Sequence, residues 1–256
     1  MDPSSILAIV LGTGCVILGN SLEGGHFSSL VQPTAFLIVV GGTAGATWLG
    51  CPNAELKLAF KLCKRVFFPG HSDRQMLLDE MVKVSTVARR EGMLAVENLL
   101  GEIPDPFLVR GLRMLVDGSS AEDVKRVLEP EMELEEHHGT QAGKVFESAG
   151  GFCPTIGILG AVLGLIHVMS NLADPAALGA GIAVAFVATI YGVGFANLLF
   201  IPIGNRIKKI VGHDAETRQM VLLGLVGIAA GVNARQVEEM LSAFTRGHGP
   251  AKQEAA

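Results

Sequence analysis

Four stretches of the chain are continuously apolar and hold no lysine, arginine, aspartate or glutamate: roughly Ser5 to Leu22, Leu30 to Gly50, Ala149 to Ser170 and Leu178 to Ile203. Each supplies the ~20 residues that a helix needs to cross a hydrocarbon core. Short connectors near Leu22 to Ser29 and Asn171 to Ala177 join them in pairs, so the pattern predicts two membrane hairpins. Between the hairpins the periodicity changes. Ser72-Asp73-Arg74-Gln75 reads as a capping box, and behind it Leu77, Met81, Val84 and Ala88 recur at helical spacing. Gly92 interrupts that helix, Pro104 and Pro106 break the next, and Phe107 to Val116 resumes the apolar rhythm. A second box, Ser119-Ser120-Ala121-Glu122, opens a charged helix, and five glutamates between Glu129 and Glu136 read as a solvated face. The end of the chain, GHGPAKQEAA, has the composition of a disordered tail.

Composition agrees with the pattern. Of 256 residues 49% are hydrophobic, and the mean hydropathy of +0.44 is too high for an ordinary soluble protein of this size. The placement of cations then sets the topology, because cytoplasmic flanks collect Lys and Arg. Thirteen lie between Lys57 and Lys144 and seven between Arg206 and Lys252, whereas 1–56 and 145–205 hold none. Both connectors therefore face outward, and the insert, the tail and the amino terminus face the cytoplasm. A cleaved signal peptide fits Ile6 to Leu18 poorly, since no charged segment precedes it, so the first span is expected to be retained.

The expected architecture is an all-α integral membrane protein of four transmembrane helices. Its segments are a first hairpin over 1–53, a helical cytoplasmic domain over 54–146, a second hairpin over 147–204, and a cytoplasmic C-terminal helix with a disordered tail over 205–256.

Little conventional chemistry is visible. Cys15, Cys51, Cys63 and Cys153 form no C-x-x-C pair, so neither a disulfide framework nor a metal site is expected. No P-loop, zinc-protease or nucleophile-elbow motif occurs, so no enzyme and no cofactor is expected. A net charge of −5 with few aromatics argues against nucleic-acid binding.

The second hairpin is more informative. Gly157, Gly160 and Gly164 give the third span a small-residue face, answered in the fourth by Gly181, Ala185, Thr189, Gly192 and Ala196; such faces let helix backbones approach closely. Pro154 and Pro202 each free a backbone carbonyl, either as a plain kink or as a kink facing water. Thr155 and Thr189 either bond back to their own helices or line a path for water or a cation. Ion paths through membranes use an ionisable group, and the spans supply none but His167, near an outer end. A path here needs a carboxylate from another chain.

The segments GGFCPTIGILGAVLGLIHVMSNLADP and LGAGIAVAFVATIYGVGFANLLFIPI, with IVVGGTAGA in the second span and ARREGMLAVE in the insert, resemble the MotA/PomA stator subunits of the bacterial flagellar motor. The resemblance covers nearly the whole chain apart from the tail. It implies an ion-translocating ring, a pentamer, in the bacterial inner membrane. The ring would surround a dimer of MotB-like chains that carry the essential membrane aspartate, and would engage a FliG-like rotor protein. By the same resemblance Pro154 matches the family proline beside that aspartate, Pro202 the one ending the fourth helix, and Thr189 the pore-facing threonine. Arg89 or Arg90 matches the cation that meets the rotor, and Glu97 its acidic counterpart. Sodium-driven relatives carry threonines where this chain has Ala161 and Ala188, and sodium needs several oxygen ligands where a proton needs one titratable group and water. Fewer hydroxyls favour the proton, while backbone carbonyls leave sodium open. An ExbB/TolQ-like energiser is the nearest alternative, opposed by the two-plus-two hairpin layout. A small-molecule secondary transporter is opposed by the absence of repeats and of a midplane polar site.

Overall fold

The computed structural model describes residues 3–68, 73–170 and 175–245, and among them every regular element is helical. The chain packs as two compact units, residues 1–70 with 138–210, and residues 71–137 with 211–256. This is a division by packing, whereas the four sequence segments above divide the chain by membrane side. Four helical stretches are long and apolar enough to cross a membrane: Ser4–Leu22, Phe27–Gly50, and the apolar parts of Ala121–Ser170 and Leu178–Ala229.

In the first unit, α1 (Pro3–Leu22) is followed by a 3-10 turn at Phe27–Leu30. The second span is α2 (Pro33–Phe36), a π-helical turn at Leu37–Gly41, and α3 (Gly42–Gly50). Pro33 opens it, where a missing N–H costs nothing. Next, α4 (Asn53–Phe67) buries Ala59, Leu62 and Val66. The third span is the end of α8 (Ala121–Ser170). The fourth is α9 (Pro175–Phe195), a second π-helical turn at Ala196–Phe200, and the start of α10 (Ile201–Ala229). Ala35, Val39, Cys153, Val187, Ala188 and Ala196 form the packed centre of this unit.

In the second unit, α5 (Arg74–Glu91), α6 (Met93–Val96), α7 (Pro106–Val116), the beginning of α8, the end of α10 and α11 (Ala234–Thr245) enclose one core. Leu77, Met81, Leu108, Leu112, Leu128, Leu225 and Leu241 are fully buried in it. Arg74 is buried too, and fixes α10 and α11 to α5. Its guanidinium donates to Thr217 Oγ1 at 2.9 Å, to the carbonyls of His213 at 2.9 Å and Phe244 at 3.1 Å, and to Glu216 at 2.8 Å.

Several sequence expectations change. The cap of α5 is Asp73, whose carboxylate accepts from the amides of Gln75 and Met76, while Ser72 lies outside the described residues. The second box is shifted by one residue: Ser120 Oγ accepts from the Asp123 amide, and Asp123 accepts in return from the Ser120 amide and hydroxyl. Those bonds hold the Asp123 carboxyl below the ordinary carboxylate range. The charged helix and the third span are one helix, α8, continuous through Pro130 and Pro154. The helix of the fourth span likewise does not stop at Pro202, since α10 runs on to Ala229. Beyond it lie not one helix but a break at Gly231, at φ +71°, and then α11, whose amide at Gln236 bonds Asn233 Oδ1. The glutamate run is not simply solvated: Glu131 pairs with Arg110 at 2.6 Å, Glu135 with Arg218, and Glu129 with Lys125 at 3.9 Å. The connector around 171–174 and the end of the chain from 246 lie outside the described residues.

Candidate ion path and rotor face

The third and fourth spans touch backbone to backbone. A Cβ on Gly157 would lie 2.9 Å from the Ala188 carbonyl oxygen and 3.0 Å from Gly192 Cα. On Gly164 it would lie 2.9 Å from both the Ala185 nitrogen and the Gly181 oxygen, and on Gly192 2.8 Å from the Cys153 oxygen. A Cβ on Gly160 would lie 2.9 Å from the Ala188 methyl and 3.3 Å from Ile38 of the second span. The small-residue faces of the two spans meet here, and the glycines set the separation of the helices.

Pro154 stands at this seam, its Cα 3.2 Å from where a Gly192 Cβ would sit. It removes one rung of α8, leaving the Gly150 carbonyl without its usual donor, yet the helix continues. Pro202 stands two residues after the end of the π-helical turn and is exposed, lining an open cavity of about 370 Å³ with Ser5, Leu198 and Arg206. Ala161 is half-buried, and Ala188 is sealed between the spans.

Both threonines bond to their own helices. Thr155 Oγ1 donates to the Phe152 carbonyl at 2.8 Å and is exposed; Thr189 Oγ1 donates to the Ala185 carbonyl at 3.3 Å and is half-buried. Each hydroxyl keeps its acceptor lone pairs. Around Thr155 the third span presents Ile158, Leu159 and Val162 to its surroundings, and the fourth presents Phe186, Ile190 and Val193. Among the described residues of the spans, no acidic side chain or lysine stands on either face, and His167 is exposed in the last turn of α8.

Arg89 and Arg90 end α5, where Gly92 at φ +88° stops the helix, and Glu97 opens the 3-10 turn Glu97–Leu99. All three are exposed and, among the described residues, make no ion pair. In the same unit Glu80 turns one carboxylate oxygen inward with no hydrogen-bond partner. Burial, and then the nearby charge of Asp105, hold its carboxyl above the ordinary range against the opposing pull of Lys83.

Sequence reasoning missed Tyr191, the only tyrosine of the chain. Its hydroxyl donates to the Leu30 carbonyl at 2.5 Å and accepts the Gln32 amide at 3.3 Å, while its ring packs among Phe36 and Phe195. A lone tyrosine deep in an apolar span was the available signal, because a buried phenol needs a partner.

Residues 100–220 match the MotA/TolQ/ExbB proton channel family, and residues 6–92 match the motility protein A N-terminal family. The chain is 33% identical over 245 residues to motility protein A of Bacillus subtilis, covering 94% of this chain and 90% of that protein. It is similar to a solved structure of C. jejuni MotAB, with 33% identity, a TM-score of 0.92 and 98% of both chains covered. It is also similar to the flagellar MotAB stator complex from Bacillus subtilis, with 32% identity, a TM-score of 0.85 and 97% of both chains covered. Likeness of this extent, through both the membrane hairpins and the helical insert, shows that the chain belongs to the motility protein A family of membrane proteins.

Proposed function

We propose that this chain is the ring-forming stator subunit of a flagellar motor, and that it conducts protons only together with a MotB-like partner. The observation that carries this reading is a backbone-tight pair of membrane helices whose faces hold hydroxyls and a proline but no carboxylate. The missing group is the partner's membrane aspartate, seated beside Pro154 and within reach of Thr155 and Thr189. A pentamer surrounds the partner dimer in the inner membrane, with both termini cytoplasmic; the cation-free connectors support that orientation. Arg89 or Arg90, and Glu97, meet oppositely charged residues of a FliG-like rotor protein; their exposure and lack of internal partners leave them available for that contact. The proton is favoured over sodium, because Ala161 and Ala188 add no oxygen ligand to the path.

The test is cytoplasmic pH in energised cells that make this chain with a MotB-like partner freed of any plug segment. Acidification is expected with the intact partner and none with its membrane aspartate changed to asparagine. Sodium entry in place of acidification would reverse the ion, and no flux of either ion from an assembled complex would remove the channel reading. Charge reversal at Arg90 or Glu97 is expected to abolish swimming while acidification persists. An ExbB/TolQ-like role is disfavoured by the match of residues 6–92 to a family of motility proteins.

A further inference from the structure

The helix α4 starts three residues after Gly50, the last residue of the second span, and its two sides differ. Ala59, Leu62 and Val66 are buried against the first unit. Lys57, Lys61 and Lys64 fall on the opposite side, within an arc of roughly 60° at the ~100° per residue of an α-helix, and all three are exposed. Among the described residues none of the three has a carboxylate at ion-pair distance. The only acid of the helix, Glu55, lies on the far side from them, in the first turn.

A merely hydrated face would carry polar residues beside its lysines. This one carries Phe60, 71% exposed and steadied at one edge by Phe146, whose ring centroid is 6.5 Å away. At the start of the helix stands Trp48, 68% exposed, its indole N–H donating to Asn53 Oδ1 at 3.0 Å. An indole at the end of an apolar span with its N–H satisfied is the residue of the membrane–water boundary. Trp48 thus marks the level of the headgroups at the point where α4 begins.

We propose that this face of α4 is a docking surface for anionic phospholipids, with phosphates held among Lys57, Lys61 and Lys64 and the ring of Phe60 entering the acyl boundary. It rests on the cytoplasmic placement of α4 given above. Lysine stems lie along the apolar surface while their ammonium groups reach the phosphates. Such contacts favour anionic over zwitterionic lipid by about fivefold for each lysine engaged, and they weaken with salt.

Trp48 is the single tryptophan of the chain, so it reports on lipid beside α4 without labelling. The full chain is reconstituted in phosphatidylcholine vesicles holding, at equal mole fraction, either brominated phosphatidylglycerol or brominated phosphatidylcholine, and quenching of Trp48 is measured. Brominated phosphatidylglycerol is expected to quench with an apparent affinity at least about fivefold higher, the weight of one engaged lysine. The preference is expected to vanish in the K57Q/K61Q/K64Q triple variant, while quenching by brominated phosphatidylcholine stays as before and shows the variant inserted and folded. Equal quenching of the unaltered protein by both lipids, no quenching by either, or a preference that survives in the triple variant would each overturn the proposal. So would a smaller oligomer in the triple variant, which would make the face a contact between copies. Lipid preference is read without ion flux, so a chain that selects phosphatidylglycerol yet conducts nothing when assembled with an intact MotB-like partner would keep this surface and remove the channel reading.

Discussion

The hydroxyl of Tyr191 and the carbonyl of Leu30 lie 2.5 Å apart, although 161 residues separate them, and the same hydroxyl accepts the Gln32 amide. Gln32 precedes α2 and has no side-chain cap of its own, so Tyr191 supplies the cap from the fourth span. Replacing Tyr191 with phenylalanine keeps the ring between Phe36 and Phe195 but leaves a part-buried donor and a part-buried acceptor without this partner. The expected cost is about 1–3 kcal/mol of stability, read as a lowered thermal midpoint of the purified chain in detergent. An unchanged midpoint would show that water replaces the phenol at no cost.

Gly164→Ala places a methyl 2.9 Å from backbone atoms of Ala185 and Gly181, which cannot swing aside as a side chain can. The helices must part, at about 1–3 kcal/mol, and proton uptake with the partner is expected to fall with them. Gly179→Ala meets nothing within 4 Å and serves as the control, with an expected change in the stability of the isolated chain within about 0.5 kcal/mol. Equal thermal midpoints for the two variants would contradict the backbone contact.

Glu80 makes a pH prediction whose sign is fixed. Its carboxyl is held above the ordinary range in the folded chain, so its contribution to stability is complete below the unfolded value and is lost as pH rises through the raised one. Glu80→Gln, which never ionises, is therefore expected to unfold at a higher temperature than the unaltered chain at neutral pH and to show no advantage near pH ~4. Thermal midpoints at the two pH values decide it, and an advantage that persists in acid would mean that packing, not charge, is responsible.

Arg74 binds four acceptors on α10 and α11. Hydrogen bonds to a charged group contribute about 1.5–3 kcal/mol each, so Arg74→Met is expected to loosen α11 and expose it to protease. Arg74→Lys recovers only part, because a single ammonium cannot reproduce the planar fork. Unchanged protease resistance in Arg74→Met would assign the docking of α11 to Leu241 and Val237 alone.

The hairpins and the glycine faces were legible because each leaves a periodic mark. A span shows as a run without charge, and Gly157, Gly160 and Gly164 repeat at the spacing of one helix face. Continuity was not legible. Nothing in the sequence joins the charged helix to the third span, where Pro154 reads as a kink; Pro130 and Pro154 each remove a single rung, and α8 has enough remaining hydrogen bonds to pass both. The caps slipped by one residue because Ser72 and Asp73, like Ser119 and Ser120, are adjacent residues of equal capping ability, and only the observed bonds choose between them. The bond from Tyr191 to Leu30 joins distant parts of the chain and leaves no local pattern. The charges of Arg89, Arg90 and Glu97 were legible as exposed, while their place in the rotor reading came from resemblance and not from periodicity.

The π-helical turns at Leu37–Gly41 and Ala196–Phe200 have one further consequence. A turn closed five residues on, instead of four, absorbs an extra amino acid without severing the helix. Everything after it is rotated by about 100° relative to an unbroken α-helix. The compass bearing of Pro202, Arg206 and the residues that follow is thus governed by a length and not by any side chain. Deleting one residue from Ala196–Phe200 would leave an intact and still apolar helix, but would turn the Pro202 end of the fourth span to face a different neighbour.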